Sequence, residues 1–161
     1  VQLQAYSSRY KNDHEIGARA VGRAARAAGY LTKAQLITLM KWKASRITHY
    51  ARSTDHHYLR TVTQASFSSR NDRFRIESLT LLRGVNWPMA STILHFVFPS
   101  RYPVLDVRAL WSLQVEVHST YNYNLWKQYC VACRRLAKKH RMSLRSLDQA
   151  LWQYSSENQR S

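Results

Sequence analysis

Asp106 is the acidic side chain best placed to do chemistry. It follows the apolar run Pro103-Val104-Leu105, and it is one of nine Asp plus Glu residues facing 25 Lys plus Arg. In a largely dry site a carboxylate stabilises a developing cation and activates water; the same residue in front of VRALWSL also suits a helix N-cap. The other candidates are weaker. Cys130 and Cys133 form a CVAC pair, but a zinc site needs four ligands and an iron–sulfur cluster usually needs four cysteines. His140 lies too far along the same helix to join them, so two reduced core thiols are expected and no iron–sulfur cluster. Adjacent His56 and His57 fall on different faces of a helix and are read as solvated. Glu77 could be a second acid, although an intrahelical pair with Arg73 is the simpler reading.

The elements that must position Asp106 begin at Leu79. Leu79, Leu81 and Leu82 end an apolar face that Phe74, Ile76 and Ser78 continue upstream, and Gly84 supplies backbone freedom where the chain reverses. Pro88 suits a first helical turn, and Ala90, Ile93, Leu94 and Val97 give the helix behind it an i, i+3, i+4, i+7 face. Pro99 and Pro103 end that helix, and Asp106 opens the next. A small-residue turn feeding a helix N-terminus points unpaired N–H groups outward at the positive end of the helix dipole, which suits a phosphate. The phosphate contacts expected here are Arg83, Gly84, Val85, Asn86, Trp87 and Met89, with Arg108 just beyond Asp106 as a further clamp.

This order of parts resembles the helix-hairpin-helix DNA glycosylases, whose L-P-G-V-G-like hairpin is followed by a helix, a proline-containing loop and the catalytic aspartate. The resemblance covers Leu82 to Leu113, about a fifth of the chain, and rests on Leu82, Gly84, Val85, Ala90 and Pro103 to Val107. It implies that Asp106 is the catalytic carboxylate, and that the backbone near Leu82 and Val85 holds a structural monovalent cation. Arg83 stands at the hairpin proline, and Asn86, which tolerates left-handed geometry, stands at the second glycine. Pro88 occupies the position of the Schiff-base lysine of bifunctional members. The implied activity is therefore a monofunctional glycosylase that flips out a damaged or modified base and hydrolyses its N-glycosidic bond, with no cofactor. Lys41 or Lys43 is an alternative source of an amine.

Charge fits such a partner. The formal net charge is +16 and basic residues run from Arg9 to Arg160, so a polyanion that releases counterions on binding is expected, and double-stranded DNA before an anionic membrane. Base extrusion needs an aromatic-lined pocket. Trp42 with Lys43 and Arg46, followed by Tyr50, can stack on a base while the cations hold the backbone, or can be a core Trp with snorkelling neighbours. Tyr102 is a further pocket or wedge candidate, and Trp111 is expected in the core. The alternative function is a non-catalytic helix-hairpin-helix DNA-binding protein in which Asp106 only caps a helix.

The expected fold is all-α, one domain over residues 1–161 with seven to eight helices, monomeric and cytoplasmic. Residues 1–12 lack a period and read as an extended arm, 72–98 hold the helix-hairpin-helix, and 156–161 read as a frayed tail. Asp13 caps an alanine-rich helix ended by Gly29, whose Arg19, Arg23 and Arg26 form either a solvated stripe or a phosphate track. Thr32 and Gln35 make a capping box before a helix with Leu36, Ile37, Leu39 and Met40 as its core side. A helix from Thr54 to Ser68 has Tyr58, Leu59, Val62 and Phe67 spaced for burial, and Asn71 or Asp72 caps the next. Beyond the polar HSTYNYN stretch, Leu125, Tyr129, Ala132, Cys133 and Leu136 line one face of a helix, and Ser143 caps the last one.

Overall fold

The computed structural model describes residues 2–12, 14–117 and 120–160, and they form helices without a strand. Ten α-helices and one 3-10 turn occur among them. Two have no counterpart in the sequence reading, the first helix and a short one at Thr48–Ser53. Contacts divide the chain into two compact units, 13–98 and 1–12 together with 99–161.

The middle unit holds α2 (Glu15–Ala28), α3 (Lys33–Ala44), the 3-10 turn Ser45–Ile47, α4 (Thr48–Ser53), α5 (His56–Ser68), α6 (Asp72–Leu79) and α7 (Trp87–Val97). Helix α7 is its centre: α2, α3 and α6 all pack against it. Its predicted face is buried, and so is the rest, because every residue from Met89 to Val97 is enclosed. A helix enclosed all round must satisfy its polar side chains internally, and the Ser91 and Thr92 hydroxyls both donate to the Pro88 carbonyl, at 2.7 and 2.9 Å. Alanines and Gly22 let α2 come so close that a Cβ at Gly22 would lie 2.0 Å from the Phe96 carbonyl oxygen.

Local signals set the ends of these helices. Gly29 ends α2 in the left-handed conformation at φ 86°, and the Thr32/Gln35 capping box is formed. Asp55 caps α5, and Asn71 rather than Asp72 caps α6. The Asp13 cap lies outside the described residues. Tyr58, Phe74 and Leu81, expected on buried faces, are 46%, 47% and 62% exposed, whereas Leu59, Val62, Phe67, Ile76, Leu79 and Leu82 are buried.

The terminal unit holds α1 (Gln2–Arg9), α8 (Val107–Ser112), α9 (Tyr123–Lys139) and α10 (Leu144–Asn158), with α1, α8 and α9 packed on α10. The extended-arm expectation for 1–12 is corrected: Gln2–Arg9 are helical because distant groups hold them. Tyr6 meets the Tyr154 ring edge-on at 5.3 Å, Tyr10 meets Trp152 at 5.4 Å, and the Arg9 guanidinium donates to both Glu157 carboxylate oxygens. The frayed-tail expectation is corrected by the same contacts, since α10 continues to Asn158 and Glu157 also accepts from Gln153. In α9 the buried set is Trp126, Tyr129, Cys130, Cys133 and Ala137, while Leu125, Ala132 and Leu136 are only half-buried, so the inward face is rotated from the predicted one.

Candidate nucleic-acid interface and catalytic carboxylate

The bend between α6 and α7 is built from short-range bonds. Leu82 N–H donates to Leu79 and Val85 N–H to Leu82, each at 3.1 Å, with Gly84 at φ 78° between them. Asn86 then caps α7, its Oδ1 accepting from the Met89 N–H at 3.1 Å, and Ala90 N–H donates to the Asn86 carbonyl at 2.8 Å. Pro88 has no N–H to offer, and Met89 has given its own to the cap. Of the phosphate-binding set, the N–H groups of Gly84, Asn86 and Trp87 enter no turn, loop or cap bond among the described residues. The Leu82 carbonyl, one of those expected to hold a cation, accepts from Val85.

Tyr50 closes over this bend. A Cβ built on Gly84 would lie 2.5 to 2.8 Å from the Tyr50 side chain, so glycine is required here for close approach as well as for its positive φ. Arg83 places its guanidinium 5.6 Å from the Tyr50 ring centroid, and the His49 ring lies 4.0 Å away on a tilted plane. Tyr50, Arg83 and Gly84 are thus brought together. Trp42 is half-buried with its ring edge-to-face on Phe96 at 4.9 Å, the packing of a core Trp; Lys43 is half-buried, and Arg46 lies exposed on the 3-10 turn. The Arg19, Arg23, Arg26 row is partly engaged: Arg19 bonds to Glu15, and Arg26 lies 5.6 Å from the Phe98 ring centre.

In the terminal unit Asp106 caps α8, with its Oδ1 accepting from the Arg108 N–H at 2.9 Å. It is half-buried behind the buried segment Pro103 to Leu105, whose Val104 carbonyl is held by the Tyr129 hydroxyl at 2.8 Å. The Arg108 guanidinium rests 5.0 Å from the Trp152 ring centre. Tyr121, half-buried, has its hydroxyl pKa raised by burial and by the negative charge of Asp106. Sequence reading passed over this tyrosine; the only trace of it was the tyrosine-rich polar stretch after α8, of which His118 and Ser119 lie outside the described residues.

Two aromatic assignments are corrected. Tyr102 is fully buried and stacks on Trp126 at 5.5 Å, so it cannot line a base pocket. Trp111, expected in the core, is 37% exposed and tilts against Tyr154 at 6.0 Å, because the short α8 turns that face outward. Arg73 and Glu77 form the intrahelical pair at 2.9 Å. Cys130 and Cys133 are buried reduced thiols, and burial pushes Cys133 up to about 12. The His56 and His57 rings lie 4.2 Å apart, and among the described residues no group of three His, Cys, Asp or Glu is placed to hold a metal ion.

No helix among the described residues is long and apolar enough to cross a membrane. The chain matches no family model, no curated protein and no solved structure.

Proposed function

We propose that the protein is a monofunctional DNA glycosylase of the helix-hairpin-helix kind, acting on a damaged or modified base in double-stranded DNA. The observation that carries this reading is Asp106: a half-buried carboxylate at the head of α8, on a chain of net charge +16. The bond that makes it a cap needs no charge. Asn71, Asn86 and Asn122 make the same kind of bond with neutral amides and Asp55 makes it with a carboxylate, so capping alone leaves the charge at this position unassigned. The glycine-hinged bend, whose Gly84, Asn86 and Trp87 N–H groups enter no turn, loop or cap bond among the described residues, supports phosphate binding in the middle unit.

In the proposed reaction the bond between C1′ of the sugar and the base nitrogen breaks, and its electron pair leaves with the base. The Asp106 carboxylate stabilises the oxocarbenium-like ring and accepts the proton of the water that adds to C1′; the departing base takes up a proton from solvent. Pro88 offers no amine, so no imine forms there and the sugar–phosphate backbone stays intact. The competing reading is a non-catalytic DNA-binding module, favoured by the capping bond itself. Base release from duplexes carrying a panel of uracil, alkylated and oxidised bases separates the two. Wild type is expected to release one of these bases, with strand breakage only after alkali. Asp106→Asn is expected to retain DNA binding and lose release by roughly 10²- to 10⁴-fold. Release that survives the substitution removes Asp106 from the reaction, and binding without release on every lesion leaves the non-catalytic module.

A further inference from the structure

We infer that the outward face of α9 is a second contact surface for the phosphodiester backbone of duplex DNA, separate from the α6–α7 bend. This inference rests on the nucleic-acid reading above and not on the catalytic one. Helix α9 contains no Asp or Glu over Tyr123–Lys139. Its buried side chains, Trp126, Tyr129, Cys130, Cys133 and Ala137, occupy one side of the helix. At 3.6 residues per turn, Lys127, Arg134 and Lys138 fall within about 40° of one another beside that buried set, and Arg135 and Lys139 continue the cations round the side facing away from it.

Lys127, Arg135, Lys138 and Lys139 are exposed, and none is in an ion pair with a carboxylate among the described residues. Arg134 is fixed in place by donating from Nε to the Arg101 carbonyl at 2.7 Å. On the helix's own outer surface Asn124, Lys127, Gln128, Val131, Ala132 and Arg135 line one open concavity of about 410 Å³, so two side-chain amides share it with two of the cations. Amides next to cations suit phosphate oxygens, which accept from both.

From Lys127 to Lys139 the helix advances by roughly 18 Å, the rise of about five base pairs, so a row of this length can follow several successive phosphates. Cations set at helical spacing with no acidic partner repel one another, and a polyanion lying along them removes that repulsion. The chemistry favours duplex backbone over an anionic lipid surface because the face lacks an apolar stripe to enter a bilayer; Val131, 43% exposed, is its one large apolar side chain among the described residues.

The test removes four exposed charges at once, Lys127→Gln, Arg135→Gln, Lys138→Gln and Lys139→Gln, none of them in an ion pair among the described residues. Its control is an equal change in net charge at scattered exposed sites: Lys11→Gln, Arg52→Gln, Arg70→Gln and Arg160→Gln. Affinity for an undamaged duplex is measured across a salt series. With about 0.9 units of log K per log salt for each phosphate contact, the α9 variant is expected to flatten the slope by about 3.6 and the control by less than about 1. An unchanged slope in the α9 variant, or equal flattening in both, overturns the α9 surface while leaving DNA binding in place. Wild-type protein that does not bind duplex at all overturns the nucleic-acid reading itself. Loss of binding to phosphatidylserine vesicles in the α9 variant, with duplex binding unchanged, assigns the face to lipid and overturns the inference.

Discussion

Asn86 and Asp106 do the same local job in the two units. Each stands in extended backbone before a helix, and each offers Oδ1 to an N–H two or three residues on, Arg108 for Asp106 and Met89 for Asn86. One is a neutral amide at a bend packed under Tyr50; the other is an acid on a six-residue helix. A helix N-terminus accepts either, so geometry alone does not explain why one position carries a charge. The bend is specified by shape, the charge at Asp106 is the feature our proposed chemistry would use, and substitutions at the two places should fail in different ways.

The largest stability effect is expected at the bend. Gly84→Ala must hold a side chain at φ 78° and overlap Tyr50, and the left-handed penalty with overpacking comes to about 2–4 kcal/mol. Combining it with Tyr50→Ala removes the overlap but not the backbone strain, so the double variant should be less destabilised than the sum of the singles. Thermal unfolding of the four proteins measures that coupling. Additive losses would mean that Tyr50 does not close the bend. The cost also bears on the choice of binding variants, because a bulky residue at Gly84 disturbs the fold as well as the phosphate contact.

Smaller effects separate the caps. Asn86→Ala and Asp106→Ala should each lose about 1 kcal/mol in denaturant melts, whereas Asp106→Asn should lose less than about 0.5 kcal/mol, since an amide caps as well as an acid. A large loss on Asp106→Asn would show that the charge itself holds α8 in place, and the comparison with Asn86 would fail.

Which features could be read in advance follows from how local their causes are. The capping residues Thr32, Ser143 and Asn71, the last being one of the two expected there, the glycine at 29 and the Arg73–Glu77 pair are fixed by neighbours within four residues, and each is legible in the sequence. Helix α1 depends on Tyr154, Trp152 and Glu157, at the far end of the chain, and nothing within QLQAYSSR signals them. The inward face of α9 turned because Trp126 stacks on Tyr102 and Tyr129 bonds to the Val104 carbonyl, while Leu125 and Leu136 stay at the margin, a choice made by these partners and not by hydrophobicity. The same indeterminacy exchanged Tyr102 and Trp111: aromatic rings suit core and surface alike, and only the stacking of Tyr102 on Trp126 decides between them. At the site, residue types and order were legible, and the Asn86 cap that takes the Met89 N–H is as local as the others, but the place of Tyr121 near Asp106 depends on packing.

Glu157 supplies a third side chain against which the first two can be judged, and the smallest effect. Its charge is committed to a partner: hydrogen bonds from Arg9 and Gln153 hold its pKa at about 2, below the ordinary 4.5. A carboxylate with a lowered folded value stabilises the fold fully above its unfolded value, and that contribution disappears as the pH falls from about 4.5 to about 2. Arg9→Gln should therefore differ from wild type most at neutral pH and converge with it near pH 2. Because both side chains are largely in solvent, salt at molar concentration should close the gap at neutral pH too. Hydrogen exchange of the α1 amides across that range reads the effect where it acts. A gap between the two proteins that persists unchanged at pH 2 would mean that Arg9 holds α1 through its position 4.4 Å over the Tyr6 ring and not through Glu157.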